Sequence, residues 1–442
     1  MISADRNSRV LMIGPDRYAM DACVRLGIDA VVVRSVKSWD GGLIQVPEQL
    51  TDLRVEDQTN PEHVLAGLHR AGLAAAGFDA VHTTDEFALV TAALLAEHLG
   101  CRTMGPDVAA RFRDKSLQKA RVAAAGIRTA GITVIEDIYD VSAIAETPYP
   151  RAVLKPIAGA ATARTTVVAG LDELRARSRG YAAAGIAERT FALEEFVEGA
   201  EWVVDGVMFD GELLFAGVGA YRQPCLTTVE QDLPLSMRRF DPGQDAAVYA
   251  EALPMAAAAL SALGLRDGVF HLELFHDPAT GEPAFGECGA RRGGGLIHEE
   301  IQAKFNVHLG ECALLCALGR RPQLDVKVRP GVVASGFLPG RSGLLVSCPT
   351  PAQLCERPGV EFARIESCPG SRSAADVGTT TDRIGMVLVA ADTVEAADVR
   401  LAEVRQWFDA RLLVAPSGPP RTLRAWQDAT WPDADFGDVL WR

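Results

Sequence analysis

Residues 271–287 read His-Leu-Glu-Leu-Phe-His-Asp-Pro-Ala-Thr-Gly-Glu-Pro-Ala-Phe-Gly-Glu, two strand-like apolar ends around a centre rich in turn residues. This pattern predicts a β-hairpin. Glu273 and Glu287 stand equally far from Thr280, so a symmetric hairpin makes them cross-strand partners. Period-two alternation then places His271, Glu273 and Phe275 opposite Gly289, Glu287 and Phe285. Directly opposed side chains have Cβ atoms about 4.5–5.5 Å apart, and like charges there repel. Three arrangements answer the repulsion: a hard divalent cation such as Mg²⁺ shared by both carboxylates, a proton shifted onto one acid, or a hairpin that is not symmetric.

The next residues favour the cation. Arg291, Arg292 and the triglycine Gly293-Gly294-Gly295 follow the second carboxylate, and Arg forks with closely approaching backbone amides suit phosphate or carboxylate oxygens. Lysine is rare here: six, at 37, 115, 119, 155, 304 and 327, against 38 arginines. Lys115 stands early in a predicted helix. Lys155 ends an apolar strand (AVLKP) before a small-residue loop, where a cation can meet phosphates. The segment 191–206 (FALEEFVEGAEWVVDG) reads as two strands whose apolar residues can sandwich a flat base, with Glu195 or backbone groups on its edge and Glu201 on a ribose.

With 442 residues, 48% of them hydrophobic, the chain can build two to four packed units. A net charge of −14 without a Lys/Arg run argues against nucleic acid and anionic membranes as partners. Nine scattered cysteines without metal-finger spacing read as reduced thiols. No basic flank and apolar core open the chain, and no run of about 18 apolar residues is evident, so a soluble cytoplasmic protein is expected. The RVLMIG opening starts a β-α-β pattern extending over about 110 residues, a parallel α/β layer. The Gly14-Pro15 turn lacks the GxGxxG spacing of a dinucleotide site. A single helix is expected over 112–125. From Arg151 the signals change to antiparallel α+β, and the polar, proline-bearing stretch 320–331 marks a boundary. The last 28 residues give no clear signal.

Taken in order, a helical Lys, LKP with a small-residue loop, LEEFVEGAEWVVDG, HLE and GECGARRGGG resemble the ATP-grasp superfamily, within it the carboxylate-amine ligases that include bacterial L-amino acid ligases. The resemblance runs over about residues 1–410. It implies an ATP-grasp fold: a pre-ATP-grasp α/β domain at 1–110, an ATP-grasp domain at 111–330 with a small clamping lobe at about 151–200, and a C-terminal α+β domain at 331–442. It also implies ATP and Mg²⁺ as cofactors, small carboxylate and amine substrates, and a homodimer.

At matching positions the resemblance implies that Lys115 and Lys155 bind ATP phosphates, that Glu194, Glu195 and Val197 form the adenine hinge, and that Glu201 takes the ribose. Glu273 and Glu287 hold Mg²⁺, and Arg291 faces the γ-phosphate and the acyl phosphate made from it. His271, Gly293, Gly294, Gly295 and His298 flank the acceptor pocket. Two positions depart from the family pattern. Gly289 stands where many relatives have a metal-binding Asn, as it tends to among the amino acid ligases. The loop after Lys155 reads GAATART, keeping Gly159 and the Thr162 hydroxyl but placing Ala161 and Arg164 where glycines are expected; Arg164 is expected to contact phosphate instead. The activity implied is ATP-dependent amide formation through an acyl phosphate, releasing ADP and phosphate. A carboxylase activating bicarbonate and a nucleotide-binding protein without turnover are the alternatives.

Overall fold

The computed structural model describes residues 8–36, 44–75, 77–277, 280–373 and 383–415. The segment before Ser8, the two residues at the tip of the 271–287 hairpin and the Pro- and Trp-rich stretch after Ala415 lie outside the described residues. Strands β1 (Arg9–Ile13), β2 (Asp29–Ser35), β3 (Thr51–Val55) and β4 (Ala80–Thr83) form a parallel sheet in the order β3-β2-β1-β4. Val10 to Ile13 and Val31 to Val33 are wholly buried, as strands covered on both faces require. After β1, Gly14 turns with φ 79° and Asp16 caps the helix Arg17–Leu26 by accepting from the Tyr18 amide. After β4, Asp85 accepts from the Phe87 amide and starts the turn leading into helix Leu89–Leu99, which Gly100 closes at φ 70°. The carboxyl ends of β1 and β4 thereby present Asp16 and Glu86 toward the rest of the chain.

The helix expected over 112–125 is two helices, Pro106–Arg113 and Lys115–Ala124, broken at Asp114. The extended Asp114 accepts from the Ser116 and Leu117 amides and so starts the second helix at Lys115. A small antiparallel sheet follows, made of β5 (Ile132–Ile135), β6 (Ala152–Pro156), β7 (Thr166–Val168) and β8 (Phe191–Glu195) in the order β5-β8-β6-β7. Helix Leu171–Ala184 packs on it, with Leu154, Leu174, Phe191 and Leu193 in the shared core.

The largest sheet joins β9 (Ala200–Phe209), β10 (Glu212–Tyr221), β11 (Ser236–Arg239), β12 (Gly268–His276), β13 (Pro283–Gly289) and β14 (Val332–Pro339) to two later strands. A separate three-stranded sheet consists of β15 (Gly343–Ser347), β17 (Arg372–Ser373) and β19 (Leu413–Ala415). With β16 (Val360–Ile365) and β18 (Arg383–Ala391), the large sheet runs β13-β12-β9-β10-β11-β14-β18-β16. Strands on either side of the 320–331 stretch therefore share one sheet, through Ser236 opposite Gly336. Helix Val394–Asp409 covers the later strands with Leu401, Val404 and Phe408. Helix Ala246–Leu263 is apolar over 18 residues, with a mean hydropathy of 1.5, a run not anticipated from sequence. Its Ala252, Ala256, Ala259, Leu260 and Leu263 are buried in the core against the large sheet.

Candidate active site

Glu273 pairs with Glu287 and His271 with Gly289 across β12 and β13, as hairpin symmetry predicts. Beyond Glu273 the symmetry ends: Leu274 lies opposite Phe285 and Phe275 opposite Ala284, because Gly286 is an extra residue in a β-bulge. A Cβ at Gly286 would stand 3.0 Å from the Glu273 carbonyl oxygen and 3.1 Å from the Phe275 ring, a tight fit that favours glycine there. Both carboxylates line a cavity of about 430 Å³ between the small antiparallel sheet and the large one.

The lysines answer much of the charge repulsion. Lys115 and Lys119, four residues apart, share one helix face turned to β13. Lys115 Nζ lies 3.2 Å from Glu287 Oε1 and donates to the Gly159 carbonyl at 3.1 Å. Lys119 Nζ donates to the bulged Gly286 carbonyl at 2.9 Å and stands 3.4 Å from Glu194 Oε2. Lys155 reaches the same Glu194 oxygen at 3.0 Å and Glu287 Oε2 at 3.7 Å. Burial opposes ionisation of Glu287, yet the Lys115 and Lys155 charges hold it down to about 2. Burial likewise opposes a charged Lys155, but Glu194 and Glu287 raise it to about 12. Lys119, in contrast, is pushed down, chiefly by burial.

Glu273 is offset from its own strand. His271 Nε2 lies 3.3 Å from Glu273 Oε1, and its Nδ1 lies 2.8 Å from Asp205 Oδ1. Asp205, opposite His271 on β9, also accepts from Arg239 Nη1 at 2.7 Å, and Arg239 Nε donates to Glu300 at 2.7 Å. Asp205, Arg239 and Glu300 are almost fully buried, so this chain of charges is shielded from water. On the same cavity wall, Glu201 accepts from the Cys225 amide at 2.7 Å. Burial and the nearby Glu273 charge raise Glu201 to about 8.

Arg291 lines the cavity and is fixed from the N-terminal unit: its Nε pairs with Glu86, which also accepts from Arg113 at 2.8 Å. Glu195, Val197, Gly159, Thr162, Gly294 and Gly295 line the cavity as well. The Glu195 carboxylate accepts from the Gly131 amide at 3.2 Å.

Three expectations are corrected. Arg164 does not line the cavity; its guanidinium pairs with Glu188 at 2.5 Å. The loop nevertheless adopts the left-handed conformation that glycines would favour, with φ 55°, 58° and 55° at Ala161, Thr162 and Arg164. His298 is sealed beneath the cavity, 1% exposed, with its ring stacked on Tyr18 at 3.7 Å and edge-on to His308 at 4.4 Å. Gly293 is also absent from the lining, being packed so that a Cβ would strike Ile297 at 2.3 Å.

Sequence reasoning missed Lys119, Asp205 and Arg239 as parts of the site. The first had a signal, since it falls one helical turn after Lys115 in a lysine-poor chain. The others meet their partners only through tertiary packing.

The residues fit the groups that the pattern implies. Among the described residues no cluster of three or more His, Cys, Asp or Glu side chains could hold a metal. Mg²⁺ needs only one or two carboxylates when phosphate oxygens and water complete its shell, and Glu273 and Glu287 provide two at the cavity wall. For a nucleotide base, the buried Glu194 Oε1 has no hydrogen-bond partner, an acceptor suited to an exocyclic amine.

The ATP-grasp N-terminal domain family matches residues 20–101. An L-arginine-specific L-amino acid ligase of Bacillus subtilis is 28% identical over 271 residues, 61% of this chain and 64% of that protein. Human carnosine synthase 1 is 36% identical over 152 residues, 34% of this chain and 17% of its own length. The matches thus span just under two thirds of the first relative and about a sixth of the second. Among solved structures, an L-amino acid ligase from Bacillus licheniformis superposes with a TM-score of 0.73 at 17% identity, covering 94% of this chain and all of that one. The chain has the ATP-grasp fold, with an ATP-grasp N-terminal domain at residues 20–101, and it is similar in sequence to an L-amino acid ligase.

Proposed function

We propose that this chain is an ATP-dependent ligase that joins a small carboxylic acid, such as an amino acid, to an amine. The convergence of Lys115, Lys155, Glu273, Glu287 and Arg291 on one cavity carries the reading. Oxide is too poor a leaving group for an amine to displace at neutral pH. The carboxylate oxygen therefore attacks the γ-phosphorus of ATP, breaking its bond to the bridging oxygen and releasing ADP. The amine then attacks the acyl carbon, inorganic phosphate leaves, and the amine's proton is lost.

In this reading Lys115 and Lys155 release Glu287 and Glu194 to hold phosphate oxygens, and Arg291, aimed by Glu86, steadies the transferred group. Glu194 and Val197 take the adenine and Glu201 the ribose. Glu273, oriented through His271 by Asp205, and Glu287 would hold Mg²⁺, which supplies charge neutralisation between the β- and γ-phosphates. The small sheet closes over the nucleotide and excludes the water that would hydrolyse the acyl phosphate. The nine free thiols suit a reducing cytoplasm, and a homodimer is the assembly proposed.

The test is nucleotide turnover with Mg²⁺ across pairs of amino acids and other small carboxylates, resolving ADP from AMP and seeking new amide masses. ADP and phosphate formed only with an acid and an amine, and lost in Glu287→Ala, support the ligase. Bicarbonate-dependent turnover without an amine moves the assignment to a carboxylase, and ATP binding without turnover to a binding protein.

A further inference from the structure

Past Gly294 and Gly295 the cavity lining includes Leu235, Met237, Leu296 and Phe337, the first three each less than a tenth exposed, with Ser236 and Ser335 among them. A Cβ on Gly295 would stand 3.4 Å from the Phe337 ring, which sets this compartment next to the triglycine. This wall is held rigidly. The Phe337 amide donates to the Leu235 carbonyl at 2.9 Å, and Arg405 clamps both carbonyls, its Nε donating to Phe337 at 3.0 Å and its Nη2 to Leu235 at 2.9 Å. The charged side chain lining this compartment is Arg383, stacked over the Phe337 ring at 4.3 Å and paired with Glu366 at 2.9 Å. A Cβ on Gly294 meets nothing within 4 Å, so the compartment has unfilled room on that side.

We infer that this compartment receives the side chain of the carboxylate substrate and selects a bulky apolar one, branched aliphatic or aromatic. The inference rests on the ligase reading. It follows from placement: on that reading the carboxylate lies at Arg291, and the compartment lies at Gly294, which the resemblance puts at the acceptor pocket and this inference moves to the side of the acid. The compartment's apolar walls bury such a side chain favourably, and Arg383, itself a cation with Glu366 already as its partner, repels a cationic side chain. Arginine, the substrate in the name of the B. subtilis relative, is therefore disfavoured here.

The experiment measures ADP release from ATP and Mg²⁺ with alanine, leucine, phenylalanine, arginine or aspartate as the acid. Hydroxylamine serves as the amine and traps each acyl phosphate as a hydroxamate. The expected order places leucine and phenylalanine at least about tenfold above arginine and aspartate in kcat/KM. Gly294→Leu, which fills the compartment, lowers the phenylalanine-to-alanine ratio at least about tenfold, and Phe337→Ala, which enlarges it, shifts the ratio the other way. Equal use of all five acids, a preference for arginine, or ratios unmoved in both variants overturns the inference while leaving the ligase in place. Absence of ADP release with every acid removes the ligase reading and the inference with it.

Discussion

Lys115 Nζ stands 3.2 Å from Glu287 Oε1 while Lys155 approaches the other oxygen of the same carboxylate at 3.7 Å. The carboxylate expected to bind metal is thus paired with the two cations expected to bind phosphate. Metal and nucleotide should therefore bind synergistically, since phosphates that draw the lysines away free Glu287. Mn²⁺ affinity, read from free Mn²⁺ by EPR, should rise at least about fivefold when ADP is added. Lys115→Met should raise nucleotide-free Mn²⁺ affinity in the same direction. Equal affinity with and without ADP contradicts this coupling.

Lys119 is 2% exposed and shares Glu194 with Lys155. Removing it leaves a buried carboxylate with half its compensation and the bulged Gly286 carbonyl without its donor. Lys119→Met should cost about 3 kcal/mol in urea denaturation. An unchanged midpoint and slope would show that the lysine is dispensable to the fold.

Arg164 pairs with Glu188, away from the cavity lining. Both partners are partly exposed, and such pairs contribute about 0–1 kcal/mol. Arg164→Ala should accordingly alter the KM for ATP by less than about twofold in steady-state kinetics. A tenfold rise would return Arg164 to the phosphates.

His298 resists protonation well below the range of an exposed histidine. Burial, followed by the neighbouring His308 and Arg292, lowers it from 6.5 to about 2, so the folded protein keeps it neutral. Between those values the unfolded chain binds the extra proton. Stability therefore falls as pH drops below about 6.5, with this residue contributing up to about 1.4 kcal/mol per pH unit. His298→Phe retains the ring and should flatten the decline of melting temperature between pH 6.5 and 5. Parallel declines in the two proteins would contradict the assignment.

Much of this architecture was legible because local rules govern it. The parallel sheet of the first 110 residues follows the β-α-β pattern that RVLMIG opens. The Glu273/Glu287 register followed from counting about Thr280. What was missed depends on contacts distant in sequence or on small local choices. Gly286 could have continued the strand, and it stands out as a bulge only once the register of β12 and β13 is known. His298 has the position of a pocket residue but is covered by Tyr18, 280 residues earlier. Glu86 aims Arg291 across 205 residues of chain. Short strands such as β11 and β16 lack a pattern of their own and exist through their neighbours in the large sheet.

The central claim, that this cavity activates a carboxylate by phosphorylating it, is tested most directly with an acid labelled with ¹⁸O in its carboxyl group. One labelled oxygen bridges carbon and phosphorus in the acyl phosphate and stays with phosphorus when the amine attacks carbon. The account predicts one ¹⁸O in the inorganic phosphate for each amide formed, seen as an isotope-shifted ³¹P signal, with ADP as the other product. Amide formation with unlabelled phosphate, or with label in AMP, would contradict it.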